Sequence, residues 1–341
     1  MIIKGFEKLS LSDYPGKVSC VIFTPGCNLA CPFCHNRDLV KNSLKLKPIS
    51  ENNVFEYLNK RKGLVDGVVI TGGEPTIQKE LGSFIKRIKS LGYKVKLDSN
   101  GTRPDILKIL LFPSLRARAR SNLSIQRHPE RESMPQPSLT WRRIPDLTEL
   151  PYIDFLAMDV KTELTDYAYK KFGLKTGVSP IIKSLNLAAK STLPVELRTT
   201  IIPKLHDEKV IQKMAKQLSK IFFGPSPSLR SVSTGRSNLS DDVILGIRQL
   251  PETPESDPGQ VLRSRATQDS RGARMTRDET PPWPFRVRPG RHNDKVKWYL
   301  QTFRPGTCLD EKFNGVKPYS KEEMQKLVDA AKPIFPSVFL R

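Results

Sequence analysis

TPGCNLACPFCHN, residues 24–36, spaces Cys27, Cys31 and Cys34 as C-x3-C-x2-C, with no fourth cysteine in the stretch. Thiolates are soft ligands that select iron–sulfur clusters or zinc. A four-iron cluster usually takes four cysteines, so three would leave one iron open to an outside molecule. Zinc is the alternative, with His35 completing a Cys3His set. Against zinc, the adjacent Cys34 and His35 have difficulty turning toward one ion, and structural zinc sites usually draw on two separated ligand pairs. The spacing alone leaves both readings open. Five cysteines in a chain of this kind favour a metal or catalytic role over a disulfide framework.

The stretch follows VSCVIF (18–23), an apolar run that reads as a buried strand. Outward from it the same rhythm repeats. Ser50 caps a helix through VFEYLNKR to about residue 62, and DGVVIT (66–71) is the next strand. A helix over 78–91 stops at Gly92, and KVKLDSN (94–100) is a third strand. Pro104 opens PDILKILLF as a helix. IDFLAMDV (153–160), PVELRTTII (194–202) and KWYLQTF (297–303) are further strands, with helices near 179–191 and 207–222. Ser320 and Glu323 form a capping box for a last helix to about residue 332. Alternating strands and helices predict an α/β fold with a parallel sheet, a partial barrel of six βα units. In such barrels the chemistry lies where the strands end. The cysteine loop, TGGEP (71–75), DSNG (98–101) and DVK (159–161) all sit there, and Arg198 lies inside the fifth strand.

Two segments break the rhythm. Residues 113–150 hold seven Arg and no Lys, and residues 224–293 hold eleven Arg and no Lys. All 32 Lys and the other seven Arg lie elsewhere, while half of the 28 prolines fall in the two segments. PSLR and then RSNLS occur in each, at 113–116 and 120–124 and again at 227–230 and 236–240. Both segments read as Arg/Pro-rich insertions, expected to be disordered, of the kind a twice-inserted repeat would leave. They divide the core into 1–112, 151–223 and 294–341. Both enter between a helix and a strand, at the face opposite the motifs, where a long insertion disturbs a site least. The net charge of +22 raises nucleic acid as a partner. Each insertion contributes only +3, however, with acidic residues mixed in and few aromatics, so an RNA-binding arm is not expected. No apolar run of about 18 residues suggests a membrane span. The start, MIIKGFEKLSLSDYPGK, lacks a secretory layout, so a cytoplasmic location is expected.

The cysteine spacing, with Phe33 before the third cysteine, resembles the signature of the radical S-adenosylmethionine (SAM) superfamily. TGGEP resembles that family's GGE segment. GFEKLSLSDYPGK, RTTIIPKLHDE, WYLQTFRPG and PYSKEE make the Lys-rich remainder look like an activating protein for anaerobic (class III) ribonucleotide reductase. The resemblance implies a radical-SAM barrel in which Cys27, Cys31 and Cys34 hold a [4Fe–4S] cluster whose open iron binds SAM. It implies that Phe33, His35, Gly72, Gly73 and Glu74 lie against the cofactors, the last three at the methionine part. Asp98, Ser99 and Asn100 would meet the ribose, and Asp159 and Lys161 match a D-x-K element near the cofactor carboxylate. Arg198, costly if unpaired in an apolar strand, would touch cofactor or partner. The implied partners are a glycyl-radical enzyme and an electron donor such as flavodoxin or ferredoxin. His206 would approach the site from a strand end. Cys20 reads as core, Cys308 as a loop cysteine, and Tyr14, Pro15 and Gly16 resemble the family without an evident physical role.

Rival readings remain at this point. One is an activase of another glycyl-radical enzyme, or a radical SAM enzyme acting on a small molecule. The other, from a different class, is a zinc-bearing, Arg-rich nucleic-acid binder.

Overall fold

The computed structural model describes residues 1–112, 151–224 and 295–341. Apart from Gly224, both Arg-rich insertions lie outside the described residues, as do their expected disorder and the boundaries drawn around them.

Among the described residues eight strands form one sheet in chain order: β1 Gly5–Ser10, β2 Ser19–Thr24, β3 Gly67–Gly72, β4 Lys94–Ser99, β5 Phe155–Asp159, β6 Val195–Ile201, β7 Val296–Thr302 and β8 Val338–Leu340. Only β1 runs antiparallel to its neighbour; β2 to β8 are parallel. The six expected strands are β2 to β7, so the partial βα barrel stands, with an extra strand on each edge. Those edges were hard to read. GFEKLS is half exposed and only weakly apolar, and VFL is three residues long.

Alternation explains which residues face where. On β4, Val95 and Leu97 point outward, while Lys96 and Asp98 point inward. Register carries that parity across the sheet: Asp98 lies beside Ala157, and Asp159 beside Arg198. The outward apolar residues, Cys20 among them, join the core beneath the helices. A separate inner cluster of Tyr14, Val21 and Val69, backed by Phe23 and Phe155, lies toward the strand starts. That gives Tyr14 a role the sequence did not suggest. Its ring fills the space at Gly67, where an added Cβ would come within 2.8 Å of it.

The helices are α1 Arg37–Val40, α2 Glu51–Lys60, α3 Leu81–Ser90, α4 Pro104–Leu111, α5 Asp166–Lys170, α6 Ser179–Lys190, α7 Glu208–Phe223 and α8 Lys321–Ala331. Ser50 caps α2 by accepting from Asn52 N at 3.2 Å. The Ser320–Glu323 box closes at 3.2 and 2.7 Å. α3 starts three residues later than expected, because Pro75–Ile77 form a 3-10 turn capped by the Glu74 carboxylate. α1 and α5 are too short to leave a periodic signal.

The described residues on either side of each insertion lie where a helix ends and a strand begins. Flanking the first, Tyr152 N donates to Leu110 O at 3.0 Å. Flanking the second, Phe222 and Lys295 line one small cavity.

Candidate active site

At the strand ends lies a cavity of about 230 Å³. Fourteen residues named from sequence line it: Cys27, Cys31, Phe33, Cys34, His35, Gly72, Gly73, Glu74, Asp98, Ser99, Asn100, Asp159, Lys161 and Arg198. Its walls also include Asn36, Thr200, Gln301 and Leu309.

The cysteine loop leaves β2 through Pro25 and Gly26, whose φ of 79° suits glycine. The loop after β3 is hydrogen-bonded to it. Gly73 N donates to Thr24 O and Glu74 N to Gly26 O, both at 2.8 Å. A Cβ on Gly73 would lie 1.8 Å from Gly26 O. The paired glycines therefore have a local reason, the contact of two backbones, beside any approach to a ligand. Asn36 Nδ2 adds a bond to Gly72 O at 2.5 Å. Phe33 is buried edge-on against Phe172, with centroids 5.6 Å apart. His35 is exposed beside Phe303, and burial, then Arg304 and Lys161, lower its pKa.

Glu74 is fully buried, and four donors from the protein meet it: Thr76 N at 3.1 Å, Thr76 Oγ1, Ser99 Oγ at 2.8 Å and Asn100 N at 2.6 Å. Burial raises its pKa and these donors oppose the rise. Its visible work is to join the loops after β3 and β4. Asn100 continues the chain, donating to Asn28 Oδ1 at 3.0 Å and reaching Cys27 Sγ at 3.7 Å. Asn28 in turn donates to Thr102 Oγ1 at 2.6 Å.

Across β4, β5 and β6 runs a ladder of alternating charge. Lys96 Nζ meets Asp98 at 3.0 Å, and Asp98 meets Arg198 Nη1 at 3.0 Å. Arg198 Nε meets Asp159 at 2.9 Å, and Asp159 meets Lys161 Nζ at 2.8 Å. Burial pushes the Asp98 and Asp159 carboxyls up. Arg198 and the neighbouring lysine outweigh that, so both sit below the usual range. Burial likewise works against the Lys161 ammonium. Asp159, with Cys31 behind it, holds that pKa above its ordinary value. Three cations against two carboxylates leave the ladder net positive, with Lys161 as the rung toward the cysteines.

Lys161 is held from both sides of its peptide. Its N–H donates to Tyr169 Oη at 3.1 Å, and its C=O faces His206 Nε2 at 2.8 Å. His206 Nδ1 accepts from Ile202 N at 3.0 Å, so the Nε2–H tautomer donates to Lys161 O. Fully buried, His206 has its pKa lowered to about 4. It lies behind the cavity wall rather than in it. Cys20 and Cys308 are buried and do not line the cavity.

The residues missed by sequence are mostly uncharged polar ones. Thr200 and Gln301 carried a usable signal, since they stand two positions beyond Arg198 and Tyr299 on inward faces. Asn28, Thr102 and Tyr169 carried none.

The radical SAM superfamily model matches residues 21–215. The chain belongs to the radical SAM superfamily. A Methanocaldococcus jannaschii protein, provisionally named a glycyl-radical enzyme activating enzyme, is 31% identical over 220 residues, which is 63% of this chain and 74% of that protein. A Listeria monocytogenes pyruvate formate-lyase-activating enzyme is 34% identical over 104 residues, 29% of this chain and 41% of its own length. The 7-carboxy-7-deazaguanine synthase of Hyperthermus butylicus is 38% identical over 93 residues, 27% of this chain and 38% of its own. The chain thus spans less than half of these last two relatives. SuiB of Streptococcus suis, solved with S-adenosylmethionine, overlays with a TM-score of 0.46 at 10% identity, covering 94% of this chain and 51% of that one. No helix among the described residues is long and apolar enough to cross a membrane.

Radical SAM enzymes use a [4Fe–4S] cluster and SAM, and these are the cofactors of this chain. The donor set fits the cluster. All three thiols line one cavity, with room beside them for a group larger than a single ion. Burial pushes the Cys27 thiol up to about 11 and the Cys31 thiol up to about 12. Binding of a thiophilic metal group would displace those protons. Lys161 lowers both thiols' proton affinity, and Leu29 N–H points at Cys27 Sγ at 3.4 Å.

Proposed function

We propose that this chain is an activating enzyme that generates a glycyl radical on a protein partner. Anaerobic ribonucleotide reductase is the partner that its sequence stretches resemble best. The supporting observation is the cavity itself. It joins three thiols to the GGE turn, to the end of β4 and to the Asp159–Lys161 pair, in a chain 31% identical over 220 residues to a protein provisionally named an activating enzyme.

In this reading Cys27, Cys31 and Cys34 hold the cluster. When bound, the reduced cluster supplies the electron that splits SAM into methionine and a 5′-deoxyadenosyl radical. The protein's part is positioning, charge and water exclusion. Lys161 sits where an ammonium can donate to the methionine carboxylate, and its place is fixed by Asp159, Tyr169 and His206. Glu74 aligns the two loops that border the methionine part. Ser99 and Asn100 close the wall where ribose hydroxyls would lie. Arg198 balances two carboxylates, which keeps the field of the ladder positive toward a carboxylate ligand.

The test is anaerobic incubation of the reconstituted protein with dithionite and SAM, assayed for 5′-deoxyadenosine. Candidate glycyl-radical proteins are then added and examined by electron paramagnetic resonance. A glycyl doublet on anaerobic ribonucleotide reductase supports the full reading. 5′-Deoxyadenosine without a doublet on any glycyl-radical protein points to a small-molecule substrate. No 5′-deoxyadenosine with iron-replete protein overturns the enzymatic reading.

A further inference from the structure

LSDYPGK, residues 11–17, joins β1 to β2, and no part of it lines the cavity. Its turn is well formed. Lys17 N donates to Tyr14 O at 3.1 Å, with Pro15 and then Gly16, at a φ of 69°, between them. Tyr14 is thereby brought to the inner face of the sheet. It is 3% exposed there and packs edge-on against Phe155, with centroids 5.8 Å apart. Register gives its level. Val21, Val69, Lys96 and Phe155 form one row across β2 to β5. Two residues further along their strands, Thr71 and Asp98 line the cavity. Tyr14 and the row it packs on line no part of it, so they close the bore directly beneath.

The loop is tied down on several sides. Ser19 Oγ donates to Ser10 O at 3.3 Å. Arg341 donates to Ser12 O at 3.0 Å and to Glu196 of β6 at 2.8 Å. Lys96 Nζ donates to Asp13 O at 2.7 Å and meets Asp98 at 3.0 Å. The lysine is the informative one. It is 1% exposed, and a buried ammonium is costlier than a methionine that would fill the same space. One of its acceptors belongs to the loop and the other to the charge ladder. Among the described residues it is the only group that meets Asp98 Oδ1. Moving the loop would therefore disturb a wall of the cavity as well as its floor.

We propose that residues 11–17 are a floor plug for the reaction chamber: Tyr14 stops the bore, and Lys96 is a positioning residue that couples the plug to Asp98. This rests on the activating-enzyme reading above. A 5′-deoxyadenosyl radical takes a hydrogen atom from whichever C–H group reaches it, so a chamber open at both ends would lose it to small solutes. A plugged floor leaves the entrance at the strand ends, which a docked glycyl-radical protein then covers.

The experiment has two arms, both on the full chain. In the first, acetic anhydride acylates lysines of the metal-free protein, and mass spectrometry reads each site against Lys94, whose side chain is 53% exposed. Lys96 is expected to stay unmodified in wild type and Y14F, and to react at least about tenfold faster in Y14A. G16V strains the positive-φ turn while its side chain meets nothing within 4 Å, so it loosens the plug without touching the core and should move the same way. In the second arm the reconstituted protein cleaves SAM under dithionite in perdeuterated glycerol, with a glycyl-radical protein bound. Loss of the radical to solute breaks a C–D bond of glycerol, forms one at the 5′ carbon and leaves a glycerol radical. Deuterium in 5′-deoxyadenosine is expected from Y14A and G16V and not from wild type or Y14F. Lys96 as unreactive in Y14A and G16V as in wild type, or product free of deuterium in both variants, overturns the plug. Faster labelling of Lys96 in the variants, with no 5′-deoxyadenosine from any iron-replete protein, overturns the enzymatic reading instead.

Discussion

Arg198→Met tests whether the charge ladder is matched as the geometry implies. The guanidinium touches Asp98 at 3.0 Å and Asp159 at 2.9 Å, and its side chain is 14% exposed. Removing one partner of a buried pair costs about 3–5 kcal/mol when the other is left uncompensated. Here each carboxylate keeps a lysine, Lys96 or Lys161, so the expected loss is smaller, about 2–3 kcal/mol at pH 7. The pH dependence gives the sharper signature. Both carboxyls titrate below their ordinary 3.8 in the fold. Their contribution is therefore present above that value and is lost as pH falls through the lower folded values. In Arg198→Met the folded values rise, and protonation relieves the unpaired charge earlier. The gap between wild type and variant should then narrow between pH 7 and pH 4. Arg198→Lys, which cannot fork between two carboxylates, should fall between the two. Urea denaturation across that range measures it. A penalty under about 1 kcal/mol, or a gap that stays constant with pH, would refute the argument that Arg198 is held by both acids.

Four further outcomes are expected. Gly73→Ala places a Cβ 1.8 Å from Gly26 O, so thermal unfolding should show a loss of at least about 1–3 kcal/mol; an unshifted melting point would mean that the two loops can part freely. Burial lowers the His206 pKa from 6.5 to about 4. The unfolded chain therefore takes up that proton first, and stability should fall by up to about 3 kcal/mol as pH drops from 6.5 to 4. His206→Gln should flatten that slope in a pH series of denaturation curves. Cys27→Ser, Cys31→Ser and Cys34→Ser should each lower iron retained after anaerobic reconstitution, whereas Cys20→Ser and Cys308→Ser should not, as metal analysis would show. Deleting 113–150 and 224–293 behind short linkers should leave SAM cleavage intact, since Tyr152 already bonds to Leu110 and Phe222 already lies beside Lys295; lost cleavage in a folded deletant would show that the insertions contribute.

Much of the site was legible because it obeys two simple periods. Strand endings can be read from apolar runs, and in a parallel sheet strand endings converge. This is how loops as distant in sequence as Cys27 and Arg198 fall on one cavity. Alternation did the rest, since a charged residue two positions from another on a strand shares its face. What could not be read was partnership. Glu74 was expected to meet a ligand from its resemblance to the GGE segment, and Arg198 because an unpaired charge in an apolar strand is costly. Within the protein they also have partners that the sequence did not reveal, Thr76, Ser99 and Asn100 for Glu74, and Asp98 and Asp159 for Arg198. The same chemistry that marks a residue as functional also marks it as the keystone of a polar wall. Only the count of satisfied donors and acceptors separates the two. By that count Lys161 differs from its neighbours. Among the described residues Asp159 is its one carboxylate partner, which leaves two ammonium protons to offer, while its backbone is tied at both ends. A rigid frame with donors to spare is the property a ligand-binding residue needs, and it is the reason the proposed function assigns Lys161 to a carboxylate ligand.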